Sequence, residues 1–298
     1  MRFEKWQALG NDYLILEEQE LPFELTPERV RRLCRSHFGV AADGVLLLSR
    51  PRDPSHVAEL RIFNPDGSEA ELSGNGARQA ILYLRRRGWT DQDSFAVGTP
   101  AGSLRPQITG PGTCRIDMGR ARLSSPDYPG GSPDGLGELT PGPGAAPIRF
   151  RHISIGNPQC AIRVHDTRAL AGLDLGVLGP AIEAHPAFPN RTNVSWYAEL
   201  ATGRTARIRA RIFERGAGET LSSGTGACGA AIAHLLDRAA VSSSAGAEPQ
   251  GSVRVVLDGG ELDVEVGEDL RVHLTGWALP VFAGRLSEEI LHELTENG

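Results

Sequence analysis

The sequence predicts an α+β fold of two pseudo-symmetric domains, and three observations carry that prediction. First, one block is written twice at a fixed offset of 150 residues (223 less 73). Arg61-Ile62-Phe63 leads through Glu69 to Ser73-Gly74-Asn75-Gly76-Ala77, and Arg211-Ile212-Phe213 leads through Glu219 to Ser223-Gly224-Thr225-Gly226-Ala227. Two copies at so long a period mean a duplicated domain rather than a solenoid. Second, Gly10-Asn11-Asp12-Tyr13 and Gly156-Asn157-Pro158-Gln159 form another matched pair at nearly the same offset. Third, both halves alternate short apolar runs with helical patterns, and 298 residues suffice for two cores.

Taken in order, Tyr13–Leu16, Gly44–Leu48 and Leu60–Phe63 are apolar runs bounded by Gly, Asp and Pro, which predicts strands. Thr26-Pro27-Glu28 opens a helix with an N-cap and a proline at its first position, continuing through Val30, Leu33 and Cys34. A second helix starts near Gly74, carries Ala77, Ala80, Ile81 and Leu84 at helical spacing, and ends before Gly88. Cys114–Gly119 reads as the strand that crosses into the second half. Residues 124–147 show no period and are expected to be a flexible surface excursion. Strands are expected at 151–155, 160–164, 194–200 and 206–213, followed by a small-residue helix from Gly224. Val253–Leu257 and Leu262–Val266 flank Asp258-Gly259-Gly260, a hairpin turn. A last helix over 286–295 is expected to return to the first domain, giving boundaries of 1–117 plus 280–298 and 118–279.

Net charge of −6 and a pI near 5.8 argue against nucleic acid or an anionic membrane as partner. No apolar run approaches the roughly 20 residues of a membrane span, and the first residues are acidic and aromatic too early for a signal peptide. Cys34, Cys114, Cys160 and Cys228 lie far apart without C-x-x-C spacing, which suits reduced, buried thiols in a cytoplasmic protein. Eight scattered histidines form no H-x-x-x-H pair, so no metal is expected.

The two serine–glycine loops are the strongest chemical signal. A serine before Gly-x-Gly is a good N-cap, and for one isolated loop that would be its whole role. Two copies, each after an Arg-Ile-Phe strand and an acidic loop, favour a shared site. Glycines let the first amides of a helix approach an anion closely. Two such termini facing across a cleft would clamp one carboxylate and place a side chain on each side of the carbon that bears it. Gly224-x-Gly226-x-x-Gly229 also matches a dinucleotide-binding spacing, but the first copy has Gln79 where the third glycine should be. Asn64, Asn157 and Asn193 sit at strand ends, where an amide serves either turn chemistry or ligand binding. Glu214-Arg215 leads into a glycine loop and reads equally as a binding pair or a surface ion pair.

Leu9–Tyr13, Asn64-Pro65-Asp66-Gly67-Ser68, Gly74–Arg78, Gly156-Asn157-Pro158, Glu214–Thr220 and Gly224–Ala227 together resemble the diaminopimelate epimerase family, in order and over nearly the whole chain. The resemblance implies a PLP-independent, cofactor-free amino-acid epimerase of lysine and peptidoglycan-precursor biosynthesis, usually a homodimer. It implies two domains, each a curved sheet wrapped round a central helix, with the active site in the cleft between them. Position by position it places Asn11, Gly44, Asn64, Asn157, Asn193, Glu214 and Arg215 around an amino-acid substrate, with the amides of Gly74, Asn75, Gly224 and Thr225 on its α-carboxylate. The family's base and acid are two cysteines, and here their positions are Ser73 and Ser223. The family's histidine after Asn-Pro, which tunes the thiols, is Gln159.

These departures bear directly on the chemistry. A thiol near pKa 8.5 is lowered at a helix N-terminus until thiolate is available, whereas an alcohol needs a separate base. Glu214 remains as a candidate base beside Ser223. Three readings therefore share the pocket: epimerisation of L,L- and meso-diaminopimelate through Ser73 and Ser223, a divergent isomerase or lyase on the same scaffold, and an amino-acid-binding homologue without turnover.

Overall fold

The structure, a computed structural model, describes residues 1–70, 73–201, 205–241 and 249–296. The chain starts with β1 (Arg2–Ala8), β2 (Asn11–Glu17), α1 (Pro27–Cys34), β3 (Val45–Ser49), β4 (Ala58–Phe63), β5 (Glu69–Ala70) and α2 (Gly74–Arg86). It continues through β6 (Val97–Thr99), β7 (Gly102–Leu104), β8 (Gln107–Gly110), β9 (Thr113–Arg120), β10 (Leu136–Leu139), β11 (Ile148–Ser154) and β12 (Pro158–Arg163). Then come α3 (Thr167–Ala171), α4 (Leu175–Glu183), β13 (Asn193–Ala201), β14 (Ala206–Glu214), β15 (Gly218–Thr220) and α5 (Gly224–Val241). The chain closes with β16 (Gly251–Leu257), β17 (Gly260–Val266), β18 (Arg271–Trp277), β19 (Leu279–Arg285) and α6 (Glu288–Glu296).

Two compact units result: Met1–Ile116 with Gly276–Gly298, and Asp117–Thr275. In unit one the sheet runs β19-β1-β2-β3-β4-β6-β7, with β5 on β4. In unit two it runs β10-β11-β12-β13-β14-β16-β17 and on to β18, with β15 on β14. Seven strands match in order, and the directions match as well: β2 is parallel to β3 as β12 is to β13, and β4 is parallel to β6 as β14 is to β16. The register carries over too. Phe63 faces Glu69 and Ile62 faces Ala70 in unit one, while Phe213 faces Glu219 and Ile212 faces Thr220 in unit two. The duplicated block is thus a duplicated piece of sheet.

Each parallel step needs a crossover. In unit one α1 and α2 supply the two crossovers, as α3–α4 and then α5 do in unit two. Ser73 caps α2 with extended backbone (φ −130, ψ 121), and Arg85 and Arg86 lie at its other end, where cations suit the helix dipole. From Asn75 to Leu84 every residue of α2 is buried. In α5 the run Ala230–His234 is buried as well, and this helix packs on β11, β12, β13, β14, β16 and β17. A helix buried on every side lies in the middle of a core, so the expected central helix is found in both units.

Leu14, Leu16, Val30, Leu33, Val45, Leu47 and Leu294 form one core cluster, which brings α6 back to unit one as its spacing predicts. The expectation for residues 124–147 is overturned. Tyr128 packs at 5.2 Å from Phe150 and 5.4 Å from Phe188, and β10 pairs Leu136–Leu139 with β11. β10 fills in unit two the edge position that β19 fills in unit one. Four residues of this otherwise largely exposed segment thus form an edge strand that Gly and Pro mask in the sequence. No helical pattern is legible over 167–183, where Gly176, Gly179 and Pro180 interrupt it. α4 forms there because Gly179 lets it lie on Phe213, whose ring would sit 2.3 Å from a Cβ.

Gly10 and Gly156 both take positive φ (84 and 74) before the equivalent strands β2 and β12, so the second sequence echo is a repeated turn that needs glycine. Among the described residues no helix is long and apolar enough to cross a membrane.

Candidate active site

In unit two, β14 ends at Glu214, turns through Gly216 and returns along β15 to Thr220 before Ser223 opens α5. This hairpin folds the carboxylate back over the helix entrance. The Ser223 hydroxyl donates to Glu214 Oε2 at 2.8 Å, and the Thr220 hydroxyl donates to Oε1 at 2.8 Å. Ser223 Oγ also accepts from the Gly226 amide at 3.3 Å, in N-cap fashion. Ser223 is 3 % exposed. Burial pushes the Glu214 carboxyl above its ordinary value, and the Ser223 and Thr220 hydroxyls draw it only partly back. Glu214 and Arg215 do not act as a surface ion pair. The Glu214 carboxylate faces the two hydroxyls, while the exposed Arg215 donates through Nη1 to the Asn190 carbonyl at 2.8 Å.

Asn157 and Asn193 flank this arrangement on neighbouring strands. Asn193, 4 % exposed at the start of β13, accepts the Arg215 amide at 2.8 Å and so fixes the turn that carries Glu214. Asn157 Nδ2 donates to Thr225 Oγ1 in the first turn of α5 at 3.3 Å. Gln159 Nε2 donates to Asn157 Oδ1 at 2.6 Å, which sets which end of the Asn157 amide faces α5. The amide at position 159 carries no charge, and it is bonded to Asn157.

In unit one, Ser73 Oγ accepts the Gly76 amide at 3.1 Å and the Tyr13 hydroxyl at 3.4 Å. Asn64 stands where unit two has Glu214, and its amide donates to Ser68 Oγ at 3.0 Å within its own turn. Asn11 donates to Asp43 Oδ2 at 2.9 Å, and its carbonyl accepts Gln79 Nε2 at 3.0 Å. Gly44 presents no side chain; a Cβ there would sit 2.6 Å from the Tyr13 ring and 2.2 Å from the Phe63 carbonyl. Its contribution is room for Tyr13. Asn75 is buried in the first turn of α2 and accepts from Arg78 at 2.5 Å.

Helix α2 and helix α5 each present first-turn amides that no intrahelical carbonyl can reach. Such a terminus suits a carboxylate. Cys34 and Cys114 are buried with pKa values pushed up to about 12, and Cys160 is pushed up further by burial. Buried and hard to ionise, these thiols are inert.

The match to known proteins is extensive. The diaminopimelate epimerase family model matches residues 3–124 and 151–278, one match for each copy of the repeat. The chain belongs to the diaminopimelate epimerase family. A diaminopimelate epimerase of Synechococcus sp. (strain JA-3-3Ab) is 38% identical over 97% of this chain and 99% of its own length. One from Pelotomaculum thermopropionicum is 39% identical over 95% of this chain and 98% of its own. In structure, the Bacillus anthracis phenazine biosynthesis protein of the PhzF family matches with a TM-score of 0.67 over 96% of this chain and 99% of that one, at 18% identity, which shows a shared fold. The family's relatives are isomerases of the racemase and epimerase class.

Two site residues escape the sequence reading, Tyr13 and Thr220. Both lie inside the family motifs, so the signal was present in the Leu9–Tyr13 and Glu214–Thr220 runs. Their roles depend on hydroxyl positions that only the paired strands fix.

Proposed function

We propose that this chain binds an α,ε-diamino diacid of the diaminopimelate type and moves its α-proton without PLP or any other cofactor. The hydrogen bond between Ser223 and Glu214, 2.8 Å long at the entrance of the eighteen-residue helix α5, carries this reading. It gives an alcohol at a thiol's position the separate base that an alcohol requires. The first-turn amides of Gly224 and Thr225 take the α-carboxylate, and Asn157 and Asn193 hold this half-site in shape. The chain then serves lysine and peptidoglycan-precursor biosynthesis in the cytoplasm.

A homodimer is supported by β19, an edge strand with Leu279, Val281 and Phe282 exposed at 48%, 54% and 46%. A second reading, binding without turnover, is supported by Ser73, whose oxygen is already engaged as the cap of α2. Calorimetric titration with L,L- and meso-diaminopimelate, paired with NMR of the α-proton in D2O, tests the proposal. Binding with loss of the α-proton signal is the expected result. Absence of a binding isotherm with both isomers would overturn it, and binding with no signal loss would leave the second reading standing.

A further inference from the structure

The two copies of the repeat differ at the points that decide acid–base chemistry. At one offset, Glu214 replaces Asn64 and Thr220 replaces Ala70, while Ser223 matches Ser73. Each oxygen of the Glu214 carboxylate holds one hydroxyl, Thr220 at Oε1 and Ser223 at Oε2, both at 2.8 Å. Ser73 has the Gly76 amide and the Tyr13 hydroxyl. An amide at position 64, tied to Ser68, takes up no proton near neutral pH.

We propose that Thr220, Glu214 and Ser223 form a single-sided proton relay, so that the protein exchanges the α-proton of its amino acid on one face with retention of configuration, much faster than it inverts the centre. This rests on the amino-acid reading above. In the forward step the α C–H bond breaks and its proton bonds to Ser223 Oγ as the Ser223 O–H proton passes to Glu214 Oε2. The electron pair stays on the substrate and delocalises into its carboxylate. The return step reverses each transfer, and no oxidant, reductant or third reactant is needed. The hydrogen bond between Ser223 and Glu214 reverses direction without heavy-atom movement, because the neutral carboxyl donates where the carboxylate accepted. While Glu214 holds the proton, that proton and the Ser223 hydroxyl proton both exchange with solvent, so the proton that Ser223 returns to carbon is a solvent one. Thr220 is a positioning residue: it occupies Oε1 and leaves Oε2 to face Ser223. Burial, which raises the Glu214 proton affinity, brings the carboxyl closer to the basicity this step requires.

The experiment uses the whole protein with L,L- and D,D-diaminopimelate as separate probes in D2O. NMR follows the α-proton, chiral chromatography follows inversion, and calorimetry follows binding. The expected result is that one isomer loses its α-proton at least about 10-fold faster than the other, with deuterated material of unchanged configuration accumulating first. Equal exchange of both isomers, or one inversion for each exchange, overturns the single-sided relay. Binding of either isomer without exchange overturns the relay and spares the pocket. No binding of either isomer removes the amino-acid reading and the relay with it. Thr220→Val should lower the exchange rate about 10-fold with the dissociation constant unchanged, and Thr220→Ser should restore it. Unchanged exchange in Thr220→Val, or a loss that Thr220→Ser does not repair, overturns the positioning role.

Discussion

At matching points of the repeat, Ser73 and Ser223 cap the same kind of buried helix, yet the Ser223 hydroxyl is bonded to a carboxylate and the Ser73 oxygen to an amide and a phenol. Everything that builds the scaffold is shared: strand order, register, glycines at the helix entrance and the bidentate Arg–Glu pair across the hairpin. What differs is the pair of side chains beside the serine. Asn64 closes its own turn, whereas Glu214 reaches over the entrance of α5. The architecture is therefore common to both halves, and a carboxylate stands beside the helix cap in one. The two alcohols are therefore unequal, because one is bonded to a carboxylate and the other to a phenol.

Glu214→Gln breaks this comparison with the largest effect. It makes the two halves alike, and α-proton exchange should fall by about 10²–10⁴-fold, the range for loss of a general base. Because burial raises the Glu214 pKa, the folded protein holds this proton more tightly than the unfolded chain. The stability this group contributes is present below the unfolded pKa and is lost as pH rises through the folded one. The difference in stability between wild type and Glu214→Gln should therefore shift in favour of the variant from pH 4 to pH 8. Exchange in the wild type should run the other way, rising as the carboxylate forms. Thermal melts across pH, beside deuterium exchange, check both; a variant that loses stability relative to wild type as pH rises would contradict the buried-carboxylate assignment.

Ser73→Cys repairs the comparison from the other side. A thiol at the N-terminus of α2 gains thiolate character that an alcohol lacks. Inversion of the α-centre should rise at least about 10-fold, equivalent to about 1.4 kcal/mol of barrier. Exchange on the Ser223 side should change little. If chiral chromatography finds inversion unaltered in both Ser73→Cys and the double variant with Ser223→Cys, the pocket no longer supports two-sided transfer.

The duplication and both central helices are legible in the sequence because the repeat and the helix entrances are written in short contiguous runs. The repeat also locates the two serines. What is not legible is the chemistry of their neighbours. Tyr13 reaches Ser73 across 60 residues of chain and Asn157 reaches Thr225 across 68, distances that only sheet register closes. The edge strand β10 is hidden for another reason: its four residues, Leu136–Leu139, include Gly137, where a Cβ would strike the Phe150 ring at 2.5 Å. A glycine demanded by packing removes the very alternation that marks a strand. Helix α4 is concealed in the same way by Gly179 against Phe213.

The Arg–Glu pairs sharpen the comparison at the level of stability. Arg61 and Arg211 bind Glu69 and Glu219 with the same fork geometry, but their side chains are 45% and 17% exposed. Arg211 also donates through Nη1 to the carbonyls of Leu170 and Leu173, at 3.0 and 2.9 Å, fastening α3 to β14. Arg211→Ala should cost about 1–3 kcal/mol, since it strands buried acceptors. Arg61→Ala should cost about 0–1 kcal/mol, as exposed pairs do. Urea denaturation of the two variants reads the difference, and equal midpoints would show that the extra carbonyl bonds contribute nothing.

At the helix-entrance glycines, too, the copies diverge. A Cβ at Gly226 would meet Ile212 Cδ1 at 2.7 Å and Cγ2 at 2.9 Å, and Ile212 is 1% exposed in β14 with nowhere to move. A Cβ at Gly76 would meet a single side-chain carbon as close as 3.0 Å, Leu46 Cδ2, which a shift of a few tenths of an ångström relieves. Alanine gains about 1 kcal/mol of helix propensity over glycine at either site. At Gly226 the overpacking of about 1–3 kcal/mol exceeds that gain, so Gly226→Ala should be net destabilising by up to about 2 kcal/mol. At Gly76 the two effects nearly cancel, and Gly76→Ala should fall within about 0.5 kcal/mol of wild type. Calorimetric melting of the two single variants decides it: if Gly76→Ala melts as low as Gly226→Ala, then close approach to the sheet constrains both helices alike, and the asymmetry between the halves is confined to Glu214 and Thr220.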